Sequence, residues 1–333
     1  MSSTDTSAIA SWNNLSDEFN RYFSIIIFLF GTIGNILNII VLSQRQLRTN
    51  PCSLFFLISS IANLSAILSG LTTRMLSGWA LDLTNTIDWL CKTRAFALFL
   101  SRNVASWLLM LATLDRWLLS CRNDHHREMN ALKNVYCGII MTIFLSTCLY
   151  CVIFYCYEAN LTDAPLECYG KTLACRFIND LSYACLTILL PMSIMFIFGL
   201  MTIRNIHNVK KRIQVGSTNE KRGTRNSPVV RSSTRDKQKK LDCRLFFMLF
   251  IQIILMCIFT LPQAVQKLYS TLTSAENQTP LTKAIENFVF NLFLLMTYVA
   301  HGMPFYIYAW SGGTIFRNEI KTLIKKYSKK WFN

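Results

Sequence analysis

Seven stretches of roughly 20 residues or more, almost free of charge, constrain the fold of this chain more than any other feature. A helix needs about 20 apolar residues to cross the roughly 30 Å hydrocarbon core of a bilayer. In chain order the stretches are Phe23–Ser43, Cys52–Thr73, Ala95–Leu114, Asn134–Tyr157, Leu181–Ile203, Leu245–Gln266 and Asn287–Phe316. The third contains one charged residue, Arg102, and the others contain none. Transmembrane strands would need short alternating segments between turn signals, which the stretches lack, so we predict seven transmembrane helices.

The composition supports the same class of protein. Hydrophobic residues make up 52% of the chain and charged residues only 16%, against roughly 25% charged in a soluble globular protein. This balance excludes a soluble enzyme and a disordered chain. It also argues against a nucleic-acid partner, although the net charge is +16. We therefore expect an all-α membrane protein that folds as a seven-transmembrane helix bundle.

The loops between the stretches differ in basic charge. Of the 34 Lys and Arg residues, 25 lie in the alternate loops that share a side with the C-terminal tail, and eight lie on the N-terminal side. The positive-inside rule therefore predicts an extracellular N-terminus and a cytoplasmic tail. The same charge would attract anionic membrane lipids. Three glycosylation sequons fall on the predicted outer side, at Asn14, Asn160 and Asn277, and we predict glycosylation there.

We expect one membrane domain and no separate soluble domain. Residues 1–21 would form an extracellular N-terminus, and residues 22–311 the seven-transmembrane domain. Within that domain, residues 204–241 are basic and rich in Ser and Thr, which predicts a disordered or partly helical third cytoplasmic loop. Residues 312–333 place apolar side chains at helical spacing among basic ones, which predicts a short amphipathic helix and tail on the inner membrane surface.

The strongest motif brackets the third stretch. Cys91 precedes it and Asp115-Arg116-Trp117 closes it, and 25 residues, about 37 Å of helix, separate Cys91 from Arg116. This arrangement resembles the rhodopsin-like family of G protein-coupled receptors, which carries an outer Cys at this distance before an Asp-Arg-Tyr motif. Further landmarks of that family follow in order: Gly34-Asn35, Ala62-Asn63-Leu64, Pro191, Pro262 and Phe316-Arg317.

Several family positions carry a different residue here. Thr260 stands where the family has an aromatic side chain, two residues before the proline of span six. The Asn-Pro-x-x-Tyr motif is reduced to Met303-Pro304 ahead of Tyr308. Asn63 replaces the Asp that holds a sodium ion in the family, so we predict that sodium does not regulate ligand affinity. These departures indicate a divergent member.

The resemblance implies a receptor that binds an extracellular ligand and activates a heterotrimeric G protein by opening its cytoplasmic face. It assigns the coupling role to five residues, namely Asp115, Arg116, Trp117, Asp242 and Tyr308. Asp115 would hold the Arg116 guanidinium in a charge-assisted pair. Asp242 would either link spans three and six through Arg116 or cap a helix N-terminus. Because no acidic residue falls inside any stretch, we expect no catalytic dyad, metal site or cofactor, and no enzymatic activity.

Four cysteines lie on the predicted outer side, where disulfides form, namely Cys91, Cys156, Cys168 and Cys175. The resemblance implies a bridge from Cys91 to the second outer loop. Cys168 is the favoured partner, because it lies 23 residues before Pro191, a separation typical of the family. Cys175 is the alternative partner, and Cys156 and Cys175 could form a second bridge or stay free.

Arg102 is the one charged residue inside a predicted span. It precedes Arg116 by 14 residues, about 21 Å of helix and about 40° of rotation, so both side chains should face the bundle interior. Asn103, Asn291 and Tyr298 could offer it neutral partners, and we group these four residues as a predicted ligand pocket. Arg102 would then either meet an acceptor on the ligand, such as a carboxylate, or serve a structural role among pocket water and backbone carbonyls.

The resemblance narrows the ligand class. Amine receptors of the family carry an Asp 18 residues before the motif Arg, where this chain has Leu98, and opsins carry a Lys in span seven, which is absent. Peptides, lipids and small acids remain. The mixed charge of residues 158–180 resembles peptide receptors, and Leu261–Tyr269 looks similar to invertebrate FMRFamide-type neuropeptide receptors. We expect a plasma-membrane neuropeptide receptor; a seven-helix transporter, or a receptor for a small acidic or lipid ligand, is the alternative.

Overall fold

A computed structural model describes most of the chain. The described residues are 3–48, 50–77, 79, 81–121, 132–162, 166–220, 230–273 and 279–311. Within these ranges the side chains of residues 3–5, 46, 206, 208–220, 230–246, 271 and 311 lie outside the description.

Seven helical segments are long and apolar enough to cross a membrane, which confirms the predicted seven-helix, all-α fold. We number them as spans one to seven in chain order. They run over Thr6–Leu42, Pro51–Ser77, Asp88–Ser120, Leu132–Cys156, Leu173–Asn205, Phe247–Ser270 and Pro280–Gly302. Span three is the most buried of the seven and span four the least, so span three forms the centre of the bundle.

Span one continues an N-terminal helix. The chain is α-helical over Ser3–Glu18, forms a wider π-helical turn over Phe19–Phe23 and is α-helical again over Ser24–Leu42. Most of the segment expected as an extracellular N-terminus is therefore helical and continuous with the first span.

Span five contains a second π-helical segment, which lies just before a proline. The chain is α-helical over Leu173–Ser182, π-helical over Tyr183–Leu189 and α-helical over Leu190–Glu220. Pro191 has no N–H to donate to the preceding turn, and a widened turn next to it accommodates the lost hydrogen bond.

The helices of spans five and six extend well beyond the apolar stretches. Span six belongs to a helix over Val230–Leu272, which contains Pro262, and the helix of span five ends at Glu220. These two helices cover most of residues 204–241, the expected third loop. The amphipathic helix expected within residues 312–333 lies outside the described residues.

Span seven has well-defined ends. The Thr279 side chain accepts a hydrogen bond from the backbone N–H of Thr282 at 3.3 Å, and Pro280 occupies the first turn, where its missing N–H costs nothing. The helix ends at Gly302, and after Met303 a further helix runs over Pro304–Ser311. Pro304 thus separates the two helices.

Short elements connect the spans. Helical turns occupy Arg45–Arg48, Leu83–Asn85 and Ile153–Cys156. Between spans four and five, strands β1 (Tyr157–Glu158) and β2 (Tyr169–Gly170) pair in antiparallel register, with Tyr157 opposite Gly170. This hairpin lies over the bundle and shapes the site described below.

Spans one and seven meet through small residues. A Cβ added to Gly302 would lie 3.0 Å from the Cα of Gly31, so only glycines permit this approach of the two backbones. Next to this contact, Asn35 Nδ2 donates to the backbone carbonyl of His301 at 3.1 Å. The Gly34-Asn35 landmark therefore stands at the packing contact between the first and last spans.

Candidate functional site

Two adjoining chambers lie at the end of the bundle that carries the disulfides. We refer to this end as the disulfide end, and to the end that carries Arg116 as the Arg116 end. The inner chamber has a cavity volume of about 40 Å³ and the outer chamber about 190 Å³. They share four lining residues, namely Arg74, Arg94, Leu166 and Cys168. The inner chamber is also lined by two basic and several aromatic side chains, namely Arg102, Lys267, Phe99, Tyr157, Tyr169, Phe290 and Tyr298.

Two disulfides fix the roof of these chambers. Cys91 in the first turn of span three is joined to Cys168, the residue before β2, which is the pairing that the resemblance favours. Cys156 at the end of span four is joined to Cys175 in the first turn of span five. Because both bridges attach the β1–β2 hairpin to the spans, the hairpin is restrained over the chambers.

Arg102 lies in the wall of the inner chamber and has neutral hydrogen-bond partners. The residue is 2% exposed. Nη1 donates to the Tyr183 hydroxyl at 3.2 Å and Nη2 donates to Thr297 Oγ1 at 2.9 Å. The guanidinium carbon lies 4.5 Å from the centre of the Tyr298 ring, a cation–π distance. The Nε donor is buried and has no acceptor in the described part of the chain.

Arg74 and Arg94 line both chambers and also make neutral contacts. Arg74 is buried, its Nη1 donates to Asn291 Oδ1 at 3.3 Å, and its Nε has no acceptor among the described residues. Arg94 is half-buried and its Nε donates to the carbonyl of Ser69 at 3.2 Å. Across the ranges that the structure describes, none of Arg74, Arg94 and Arg102 forms an ion pair.

The fourth basic group of the inner chamber is neutralised within the chain. Lys267 Nζ lies 2.6 Å from Asp180 Oδ1, and both side chains are buried between spans five and six. This contact corrects the expectation that no acidic residue lies within a span. Asp180 directly precedes the uncharged stretch, whereas the helix of span five already begins at Leu173. A buried carboxylate beside an ammonium avoids the cost of either charge alone.

Asp180 also connects the hairpin to the bundle. The Tyr169 hydroxyl of β2 donates to Asp180 Oδ2 at 2.9 Å. Burial raises the pKa of Tyr169 well above its ordinary value, and the neighbouring Asp180 carboxylate raises it further, so the hydroxyl remains a donor. One carboxylate therefore links the roof, span five and span six.

The four residues of the predicted pocket occupy three environments. Arg102 and Tyr298 line the inner chamber, and Asn291 lines the outer one. Asn103 is directed instead toward spans four and five, where its amide bonds to two hydroxyl groups at 2.7 and 2.9 Å. Consecutive residues of a helix point about 100° apart, which explains why Asn103 does not follow its neighbour into the chamber.

At the Arg116 end, the same helix holds a second buried arginine in a different way. Arg116 Nη2 lies 2.6 Å and Nε lies 2.9 Å from Asp115 Oδ2. Nη2 also donates to Asn50 Oδ1 at 3.2 Å. Arg116 and Asp115 are 3% and 4% exposed. The pair is a buried, charge-assisted contact of the kind that is about twice as strong as a neutral hydrogen bond.

Of the three other residues expected to act in coupling, the structure describes the side chains of Trp117 and Tyr308, which contact spans five and six. Trp117 packs against Phe198 of span five, with ring centres 4.8 Å apart. The Tyr308 hydroxyl is buried and donates to Gln252 Oε1 of span six at 2.7 Å. Asp242 lies in the helix that contains span six, but its side chain is outside the described residues, and so is the ionic contact proposed for it.

The centre of the bundle carries an amide–imidazole contact. Asn63 Oδ1 lies 2.8 Å from His301 Nδ1, and both side chains are buried. These two residues border a small cavity of about 10 Å³, whose other polar lining side chain is Gln252. The lining of this cavity contains no carboxylate, so it offers a cation only neutral ligands.

Two of the three sequons can be placed. Asn14 and Asn160 are exposed. Asn160 adopts a left-handed backbone with φ of 58°, and its Nδ2 donates to the carbonyl of Thr86 at 3.2 Å. Asn277 lies outside the described residues. Glycosylation at the three positions remains a prediction.

Four charged residues of the site were not predicted from the sequence, and they share one feature. Arg74, Arg94, Asp180 and Lys267 each directly adjoin an uncharged stretch at its disulfide end. A search for uncharged runs stops at such residues and assigns them to loops, although the helix continues through them. Glu158 adjoins a stretch in the same way and is exposed, so this position alone does not identify a buried site residue.

Comparisons with known proteins point to one family. The family model described as 7 transmembrane receptor (rhodopsin family) matches residues 34–303. Galanin receptor type 2 from Homo sapiens is 32% identical over 118 residues, which is 34% of this chain and 29% of that protein. The Rattus norvegicus receptor of the same name is 31% identical over 121 residues, which is 35% of this chain and 31% of that protein. The aligned region thus spans less than a third of the length of these relatives.

A solved structure supports the fold. The crystal structure of squid rhodopsin superposes with a TM-score of 0.72 over 93% of this chain and 87% of that chain. The sequence identity is 16%, so this likeness concerns the fold alone.

Proposed function

Because the chain belongs to the rhodopsin family of seven-transmembrane receptors, we propose that it is a plasma-membrane receptor that transmits ligand binding to a heterotrimeric G protein. The ligand binds in the two chambers at the disulfide end, and the G protein binds at the Arg116 end. The positive-inside rule supports this orientation, since the basic loops share the side of Arg116. Disulfides form in oxidising compartments, which supports an extracellular position for the opposite end.

The ligand class that the site favours is a peptide. The two chambers adjoin and open toward the disulfide end, and the disulfide-linked hairpin gives them a fixed roof against which an extended ligand can bind. The local similarity to galanin receptor type 2, whose name states a peptide ligand, supports the same class. A small acidic ligand is the second candidate, because the inner chamber is lined by four basic side chains.

The observation that carries the proposal is the buried Asp115–Arg116 pair. We infer that this pair switches between two arrangements, the closed one that the structure contains and one in which Arg116 binds another partner. Span three joins this pair to the wall of the inner chamber through Arg102. A ligand that prefers one position of span three therefore shifts the population of the two arrangements.

The experiment is nucleotide exchange on purified heterotrimeric G proteins, driven by a panel of synthetic neuropeptides. We expect at least one peptide to accelerate exchange through the wild-type chain. Arg116→Ala removes the charge-assisted contacts at the G protein end, and exchange should fall by about tenfold or more at equal surface expression. Lys283→Ala changes an exposed lysine of span seven at the opposite end, which lines neither chamber, and serves as the control. Normal peptide-driven exchange through Arg116→Ala would overturn the proposal.

A further inference from the structure

We propose that the ligand presents an oxyanion, such as a carboxylate or a sulfate group, to Arg74, Arg94 and Arg102 in the inner chamber. This inference rests on the proposed function, since it names the chemistry of the ligand that the receptor recognises. Three guanidinium groups line one chamber, and in the described part of the chain none of them forms a direct ion pair.

The burial of these arginines indicates that a ligand supplies their counter-charge. Arg102 is 2% exposed and Arg74 is 7% exposed. A buried charge without a counter-charge is costly, and intramembrane charged residues otherwise pair with one another. The same chamber shows the paired alternative, because Lys267 has the carboxylate of Asp180 at 2.6 Å. The three arginines therefore differ from Lys267, because none of them has a carboxylate in direct contact among the described residues, although Asp82 interacts with Arg74 from a greater distance.

The hydrogen-bonding capacity of the cluster supports the same chemistry. A guanidinium has five N–H donors in a planar fork that matches a carboxylate or sulfate group. Arg102 directs two of its donors to neutral hydroxyls, and Arg74 directs one to an amide oxygen. The Nε atoms of both residues are buried and have no acceptor among the described residues. An oxyanion in the inner chamber would supply the missing negative charge, and a small rotation of a guanidinium toward it would give its unsatisfied N–H an acceptor.

The two chambers differ in acidic residues. Asp17, Asp82 and Glu167 line the outer chamber, whereas the described lining of the inner chamber contains basic, aromatic and aliphatic side chains and no acid. An anionic group would be repelled by the acids of the outer chamber and attracted to the basic inner one. The charge distribution thus assigns the oxyanion to the inner chamber.

The test measures anion binding to the purified receptor without a G protein. Thermal unfolding is followed in detergent with succinate, with its neutral isostere succinamide, and with sulfate against chloride, all at matched ionic strength. We expect succinate or sulfate to raise the Tm by about 2–4 °C over its control, as a bound ligand does at several times its Kd. If succinate raises the Tm and sulfate does not, the group that the chamber recognises is a carboxylate. If sulfate raises the Tm and succinate does not, the recognised group is sulfate-like.

Variants decide whether the arginines cause the shift. Arg102→Gln and Arg74→Gln should each lose most of the anion-dependent rise in Tm. Arg94→Gln changes a half-buried residue, and it provides the test if a variant of a buried arginine does not fold. Lys283→Gln changes an exposed lysine of span seven that lines neither chamber, and it should retain the full shift. No anion-dependent shift in the wild type, or an equal shift in the arginine variants, would overturn the inference. Because no G protein is present, a failure of coupling in the exchange assay would leave this result unchanged.

Discussion

Span three carries two buried arginines in opposite electrostatic situations. Arg102 and Arg116 lie 14 residues apart on one helix, about 21 Å along its axis, and are 2% and 3% exposed. Arg116 is held by the carboxylate of the preceding residue, whereas Arg102 contacts hydroxyls and aromatic rings. The chain thus supplies the counter-charge at one end of the helix and, in our proposal, leaves it to the ligand at the other.

This difference suggests how the two ends divide their tasks. A pair that is complete within the chain can be opened and closed, and so it suits a switch. A buried cation that lacks a counter-charge favours any state in which an anion is bound, and so it suits recognition. In our proposal, the helix between the two arginines connects ligand binding in the chamber to the switch.

The largest expected effect on stability comes from breaking the Lys267–Asp180 ion pair at the inner chamber. Asp180→Asn leaves Lys267 buried without its carboxylate and leaves one amide oxygen where two carboxylate oxygens now serve Lys267 and Tyr169. We expect the free energy of unfolding to fall by about 3–5 kcal/mol, the usual cost of removing one partner of a buried ion pair. The measurement is thermal unfolding of the purified receptor in detergent.

An exposed ion pair provides the control for that measurement. Lys92 and Asp88 form an i,i+4 pair at the disulfide end of span three, with side chains 27% and 48% exposed. Asp88→Asn should therefore change stability by less than about 1 kcal/mol. If Asp180→Asn lowered the free energy of unfolding no more than Asp88→Asn does, burial would not distinguish the two ion pairs. The proposed contrast between cations with and without a counter-ion would then be wrong.

A smaller effect, on agonist potency, is expected from changing the shape of the charged group at position 102. Arg102→Lys keeps the positive charge but replaces a planar fork by a single ammonium. We expect agonist potency to fall by about tenfold, which corresponds to about 1.4 kcal/mol, and to fall further in Arg102→Gln. Dose–response curves at matched surface expression provide the measurement. Potencies of both variants within about threefold of the wild type would support a structural role for Arg102 instead.

The smallest expected effect is that of sodium. Asn63 bonds to His301 at the position where the family carries a sodium-binding carboxylate, and the adjacent cavity is lined by neutral groups. A hard cation has little to coordinate there. Replacing sodium by a large organic cation at constant ionic strength should change ligand affinity by less than about twofold. A clear sodium-dependent shift would show that a cation binds despite the missing carboxylate.

The sequence predicted the spans well because the bilayer imposes a simple rule on them. Backbone groups must be paired within each helix and side chains must be apolar, so uncharged stretches marked all seven spans. The same rule failed at the ends of the spans. Arg74, Asp180 and Lys267 lie one residue beyond their stretches, yet all three are buried inside the bundle.

Site residues were harder to predict than spans, because a site depends on contacts between distant segments. The helical phase correctly directed Arg102 to the interior, but the same reasoning gave no account of its contacts with Tyr183 and Thr297, which lie 81 and 195 residues away. Asn103 was grouped with Arg102 by adjacency, although adjacent helical residues point in different directions. Pairing between spans cannot be derived from one sequence by periodicity alone.

The most direct test compares the ligand-free stability of two matched variants of span three. Arg116→Gln removes the partner of a buried carboxylate, and the free energy of unfolding should fall by about 3 kcal/mol or more. Arg102→Gln removes a buried charge that has no counter-ion within the described chain, and the Tm of the ligand-free receptor should rise or stay within about 1 °C of the wild type. If Arg102→Gln instead lowered the Tm as much as Arg116→Gln, Arg102 would be a structural residue, and the proposed division between an internal switch and a ligand-compensated cation would be wrong.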